Sequence, residues 1–214
     1  MEPKIIFLII LGIVSIIYLI MLNFKENIYQ FILKGCLIPL IFAVYIFSAE
    51  KIYLPIVLAL VFAWLGDILL IKISNVINFR LGLASFLIGH ICYIVAMFNF
   101  SQPFNIIALI ISIAAAVCFG IISFKIVQPT KEMKIPVIAY ETIILLMAIF
   151  ALQVFLTQGS YFGILVFAGS ISFLASDTSL ALVTFRQKPY YVFCMFTYIA
   201  AQLLISLGFS KAVF

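Results

Sequence analysis

Along the chain, apolar runs of about twenty residues alternate with short polar or turn-rich breaks, and the pattern holds from end to end. The runs cover about 5–22, 31–47, 53–71, 79–98, 104–124, 135–154, 160–185 and 190–208. The breaks fall at Asn23–Gln30, Ser48–Lys51, Lys72–Asn78, Asn99–Pro103, Lys125–Lys134, Thr157–Gly159 and Arg186–Pro189. A helix that crosses the hydrocarbon core needs roughly 20 residues. Strands would leave unpaired edges in lipid, so the many β-branched residues do not change the reading. The pattern predicts an all-α fold: a polytopic membrane helical bundle with eight transmembrane helices, the whole of 1–214 forming one integral membrane domain. The first run looks like a signal peptide at first sight. It has no small-residue cleavage site and seven further runs follow, so it reads as a retained helix.

Composition narrows the function classes. Of the 214 residues, 67% are hydrophobic and 9% charged, with a mean hydropathy of +1.38. Soluble domains run nearer 45–50% apolar and about 25% charged. A soluble enzyme, a secreted disulfide scaffold and a disordered segment are excluded. Eight helices use about 160 residues, so function must reside in the helices and their turns. Cys36, Cys92, Cys118 and Cys194 each stand alone in a different run and read as small packing residues.

The charges set an orientation. Lys4, Lys51 and Lys211 fall on one side, and Lys25, Lys72, Arg80, Lys125, Lys131, Lys134, Arg186 and Lys188 on the other, with Lys34 inside a run. The positive-inside rule then places both termini outside and the first, third, fifth and seventh loops in the cytoplasm, as expected of a multi-pass cell (inner) membrane protein. The net charge of +5 reads as a topology signal and an attraction to anionic lipid. Nothing points to nucleic acid, which needs a basic face or a motif.

Six polar side chains inside the runs are of interest: Lys34, Asp67, His90, Tyr140, Glu141 and Asp177. An ionisable group in a span costs a few kcal/mol and normally faces the bundle interior or a wet cavity. By helical rise, Lys34, Asp67 and Tyr140 lie roughly 5–8 Å from the basic ends of their helices, Asp177 about 12 Å and His90 about 16 Å. They fall in the half nearer the basic side, which predicts one polar pocket opening there. The alternatives are structural: Lys34 snorkelling to lipid phosphates, Glu141 pairing with Lys131 or Lys134, His90 as an interhelical donor, Tyr140 as packing. Asp67 and Asp177 have no opposite charge one turn away on their own helices. They also sit in similar surroundings, Gly66-Asp67 and Ser176-Asp177.

Two carboxylates in one low-dielectric site do not both stay ionised, so one can donate a proton while the other acts as a base. That suits acid/base hydrolysis through an oxocarbenium ion. Lys34 at headgroup depth could hold a phosphate as a point charge. There is no Gly-x-Ser-x-Gly, no His-Glu-x-x-His, and only one histidine, so no cofactor and no metal are expected. The residues alone thus fit a metal-free hydrolase acting on a lipid.

The chain resembles the YhhN family of integral membrane lysoplasmalogenases. The resemblance covers nearly all eight runs and is carried by Gly66-Asp67, by Gly89-His90 followed by Tyr93, and by Ser176-Asp177. Lys34 is similar to the family's second-span lysine and Tyr140 to its sixth-span tyrosine. The family lysine is commonly followed by proline, whereas here Gly35 follows and the nearest proline is Pro39; Glu141 matches no family position. The resemblance implies cleavage of the vinyl-ether bond of a lysoplasmalogen, giving a fatty aldehyde and a glycerophospho-choline or -ethanolamine. It implies Asp67, Asp177 and His90 as catalytic residues, with Lys34, Tyr140, Tyr93 and Ser176 around the substrate; Glu141 joins the substrate-binding candidates only from its place in the sixth run, its role left open. The expected partners are a lysophospholipid substrate and membrane lipids. Two rival readings are a proton-coupled transporter or channel, and a non-catalytic lipid-binding bundle.

Overall fold

The computed structural model describes residues 2–72 and 76–212, without the side chains of Lys72 and Val76. The break expected at Lys72–Asn78 therefore lies in part outside the described residues. Eight α-helices appear among those described: α1 (Pro3–Met21), α2 (Ile28–Ser48), α3 (Leu54–Leu69), α4 (Val76–Phe98), α5 (Ile106–Val127), α6 (Lys134–Gln158), α7 (Tyr161–Arg186) and α8 (Tyr191–Phe209). All except α3 are long and apolar enough to cross a membrane; α3 has 16 residues and runs on into a 3-10 turn, Leu70–Lys72. The chain is an all-α polytopic membrane bundle with seven to eight long apolar helices.

Local chemistry sets the helix ends. Asn27 and Asn105 cap α2 and α5, their side chains accepting from the Gln30 and Ala108 amides at 3.1 and 3.0 Å. Gln128, Gly159 and Gln187 close α5, α6 and α7 in the left-handed region, at φ 50°, 52° and 50°. At the basic end, the Arg186 guanidinium donates to Gln128 Oε1 at 2.6 Å and ties the ends of α5 and α7 together.

Packing sorts the helices into two groups. Helices α2, α3, α4, α6, α7 and α8 contact one another in that cyclic order, α8 returning to α2. Helix α1 lies outside against α2 and α8, and α5 outside against α6 and α7. The two outer helices bury little: Leu11 and Tyr18 in α1, Ser123 and Val127 in α5. Apolar residues exposed all round them are what a lipid-facing helix requires. Contact is closest between α7 and α8, where glycines admit the neighbouring helix. A Cβ on Gly169 would stand 2.6 Å from Ile205 Cγ1 and 3.0 Å from the Ala201 carbonyl; one on Gly208 would stand 2.8 Å from Val166 Cγ2.

One bond between α2 and α3 follows directly from sequence. Pro39 has no N–H, so the Gly35 carbonyl four residues earlier has no intrahelical donor. The indole of Trp64 on α3 supplies one, donating to Gly35 O at 2.9 Å. The bond fixes α2 against α3 beside Lys34.

Candidate functional site

Each of the six inner helices sends at least one polar side chain to the same region: Lys34 from α2, Asp67 from α3, His90 from α4, Tyr140 from α6, Asp177 from α7 and Tyr198 from α8. Asp67 lies near the end of α3, where Gly66 lets the Phe86 ring approach. A Cβ on Gly66 would come within 2.7 Å of that ring. The Lys34 ammonium stands 3.7 Å from Asp67 Oδ1, and both side chains are buried. The Tyr198 hydroxyl donates to Asp67 Oδ2 at 2.8 Å. Asp67 thus faces a cation on one oxygen and a phenol on the other.

Asp177 has different neighbours. The Tyr140 hydroxyl donates to its Oδ2 at 2.7 Å. His90 Nε2 is 3.8 Å from the same oxygen, beyond hydrogen-bond range. The His90 ring packs edge-on against Tyr140 and Phe173, and neither ring nitrogen has a hydrogen-bond partner. No Lys or Arg lies within 4 Å of Asp177 among the described residues.

Both aspartates line one small cavity of about 30 Å³ with Phe86, Ser176, Tyr191 and Tyr198, room for a water molecule. It adjoins two larger spaces. Through Lys34, Leu70 and Tyr191 it meets a vestibule of about 590 Å³ between the ends of α1, α2, α3, α7 and α8. Through Asp177 and Leu180 it meets a narrow apolar slot between α4, α5, α6 and α7, lined by Phe79, Leu83, Val137, Ile144 and Leu174 among others. Glu141 lines both that slot and a lipid-facing groove between α5 and α6.

Of the remaining expected residues, Ser176 lines the small cavity and also donates to the Cys194 carbonyl at 3.1 Å, clipping α7 to α8. Glu141 makes no ion pair within 4 Å among the described residues, neither with Lys131 nor with Lys134. It faces Ser123 instead, with Oε1 buried and unpartnered. Tyr93 does not reach these spaces: it is buried with its hydroxyl donating to Gln202 Oε1. Tyr198, Tyr191 and Trp64 take part in the arrangement without having been singled out by sequence. An aromatic in an apolar run gives no signal, except that Pro39 calls for an outside donor near Gly35. Among the described residues, no three His, Cys, Asp or Glu side chains cluster to hold a metal ion.

Neither the curated proteins nor the solved structures contain a match to this chain. A match to the YhhN family spans residues 29–209, from the start of α2 to the last residue of α8. That stretch holds all six inner helices and each polar side chain that meets at their centre, and the chain belongs to the YhhN family.

Proposed function

We propose that this protein is a membrane hydrolase that cleaves the vinyl-ether bond of a lysoplasmalogen, releasing a fatty aldehyde and a glycerophospho-base. One observation carries the reading: two carboxylates from different helices share a water-sized cavity between a mixed vestibule that carries Lys34 and an apolar slot. A single-chain lipid has the same order of parts, with a headgroup, then the ether, then a hydrocarbon chain. Family membership supports the same chemistry.

In the mechanism that fits these groups, Asp177 is the acid and Asp67 the base. Asp67 pairs with an ammonium, which favours its carboxylate form. Among the described residues Asp177 has a phenol and an imidazole but no Lys or Arg within 4 Å, and its Oδ1 is left to carry a transferable proton. That proton goes to the outer alkenyl carbon, and the double-bond electrons form the new C–H bond. The cation left behind is an oxocarbenium ion shared between the ether oxygen and the adjacent carbon, stabilised by the Asp67 carboxylate. Water then adds to that carbon and gives its proton to Asp67. When the hemiacetal collapses, the C–O bond to glycerol breaks, Asp67 returns its proton to the departing oxygen, and the hemiacetal hydroxyl returns one to Asp177. Both groups are reset and one water is consumed. His90 holds the Tyr140–Asp177 pair in orientation, and Lys34 both sets the charge of Asp67 and meets the substrate phosphate.

The matching orientation puts the basic ends, and the vestibule, on the cytoplasmic face of the cell membrane with both termini outside. Helix α3 with its 3-10 turn rises roughly 30 Å and serves as the eighth crossing. The test is to incubate purified protein in detergent with alkenyl and acyl lysophospholipids and follow products by mass spectrometry. Aldehyde from the alkenyl lipid, with little fatty acid from the acyl one, is the expected result. No aldehyde from well-folded protein sinks the hydrolase and leaves the transporter and lipid-binding readings. Fatty acid alone makes the site an esterase.

A further inference from the structure

Helix α5 is held at its two ends and stands free between them. At the outer end the Asn105 amide donates to Gln153 Oε1 of α6 at 2.9 Å, and Gln153 Nε2 donates back to the Asn105 carbonyl at 3.4 Å. At the basic end Gln128 accepts from Arg186 of α7, and the buried residues of α5, Ser123 and Val127, lie in its last two turns. Between these ties a groove of about 600 Å³ opens to lipid between α5 and α6. Ile113, Val117, Gly120 and Phe124 line it from α5, Leu145 and Ile149 from α6. From Ile113 to Lys125, which closes its basic end, the groove follows α5 for about 18 Å. That is close to the hydrocarbon depth of one leaflet, about 15 Å.

Behind the groove lies the apolar slot that meets Asp177. Glu141 lines both spaces and faces Ser123 across the α5–α6 contact, so this pair stands in the wall between the slot and the bilayer. Cleavage of a single-chain lipid leaves two fragments of unlike solubility. The charged one can depart through the vestibule. The uncharged chain would have to pass both aspartates and enter water by that route, which the hydrophobic effect opposes. The groove offers it lipid directly. A phosphate, by contrast, would be stripped of water between the groove's apolar walls and beside an acid. We infer that the α5–α6 groove is the exit site for the hydrocarbon product, which passes from the slot between Ser123 and Glu141 into the groove and on into the leaflet. That the chain is an aldehyde rests on the reading proposed above; the groove's preference for a single uncharged chain does not.

Occupancy can be measured without turnover. A long-chain aldehyde carrying a diazirine near its tail, photolysed with the detergent-purified full chain, should label groove residues of α5 and α6, and unlabelled hexadecanal should displace it. Labelling that hexadecanal does not displace, or that falls equally on the lipid-facing helix α1, overturns the inference. The route is tested by filling the groove. A Cβ at Gly120 would meet Leu145 Cδ1 at 3.5 Å, an ordinary contact, so Gly120→Phe can point into the groove without moving backbone. On a long-chain alkenyl lysolipid its steady-state kcat should fall about tenfold as release becomes limiting, while a single turnover with enzyme in excess keeps the wild-type rate. A hexenyl lysolipid, whose small aldehyde can leave through the vestibule, should be turned over as by the wild type. Ala116→Phe, one turn away in the same groove, should behave alike and guards against a folding defect at Gly120. An unchanged steady state in both variants, or equal slowing of the single turnover or of the short-chain lipid, overturns the exit route. Displaceable groove labelling in a protein that releases no aldehyde from alkenyl lipid would leave the chain site standing and remove the hydrolase.

Discussion

Asp67 and Asp177 reach one cavity on helices that run the same way, each preceded by a small residue, yet other helices give them different company. At Asp67 the α2 ammonium and the α8 phenol converge on the carboxylate. At Asp177 the nearest groups are the α6 phenol and the α4 imidazole. On the mechanism proposed above, the cation beside Asp67 and its absence beside Asp177 are what separate base from acid in a medium of low dielectric. The two similar motifs thus differ through neighbours that come from residues far away in sequence.

The comparison breaks most sharply under amide substitution. Asp177→Asn keeps the shape and strands no charge, so we expect kcat to fall about 10²- to 10⁴-fold with little change in thermal stability. Asp67→Asn should cost comparable activity and, in addition, about 3–5 kcal/mol of stability, because the Lys34 ammonium is left buried without its carboxylate. Kinetics on alkenyl lysolipid together with unfolding curves in the same detergent measure both. Equal stability losses would erase the distinction between the two sites. If both variants kept more than about a tenth of kcat, the acid would have to be sought at His90 or Glu141.

The phenols give a smaller contrast. Tyr198→Phe removes a hydrogen bond to an ion-paired carboxylate and should cost about 1.5–3 kcal/mol, whereas Tyr140→Phe should cost about 1 kcal/mol. Tyr140→Phe should still slow turnover more, since in the proposed mechanism Tyr140 orients the proton donor while Tyr198 steadies the base. If Tyr198→Phe slowed turnover more, the roles of the two aspartates would be exchanged.

Much of this arrangement can be read from the chain. Runs of about twenty apolar residues define helices because nothing else satisfies a backbone in lipid. An ionisable residue in such a run stands out because its cost there forces it inward. The same logic fails for Tyr198, Tyr191 and Tyr93, since a tyrosine is at home in a core, in lipid or at a cavity wall. Whether Tyr93 turns to the cavity or to Gln202 depends on where α8 packs. Glu141 illustrates another limit: loop lysines within reach in sequence draw attention, but the helix turns its carboxylate towards Ser123 on α5.

The smallest expected effect on turnover concerns the scaffold beneath Lys34. Because Pro39 cannot donate to the Gly35 carbonyl, the Trp64 indole is that carbonyl's hydrogen-bond donor. Trp64→Phe keeps a ring but removes the N–H, leaving an unpaired carbonyl at the α2–α3 contact, at a cost of about 1–3 kcal/mol if water cannot reach it. Trp64 is partly exposed on a lipid-facing surface, where water is scarce, so the effect should survive in a bilayer. The loss should act on Asp67 through Lys34, one residue before Gly35, and leave Asp177 and its partners on α4 and α6 untouched. Turnover should fall only a few-fold. The double variant Trp64→Phe/Pro39→Ala tests the cause, because alanine restores the backbone N–H four residues after Gly35. Recovery of stability in the double variant supports the hydrogen-bond account. A loss that persists with the N–H restored would mean that Trp64 acts by ring packing alone, and that the link from Pro39 to the Lys34–Asp67 pair does not exist.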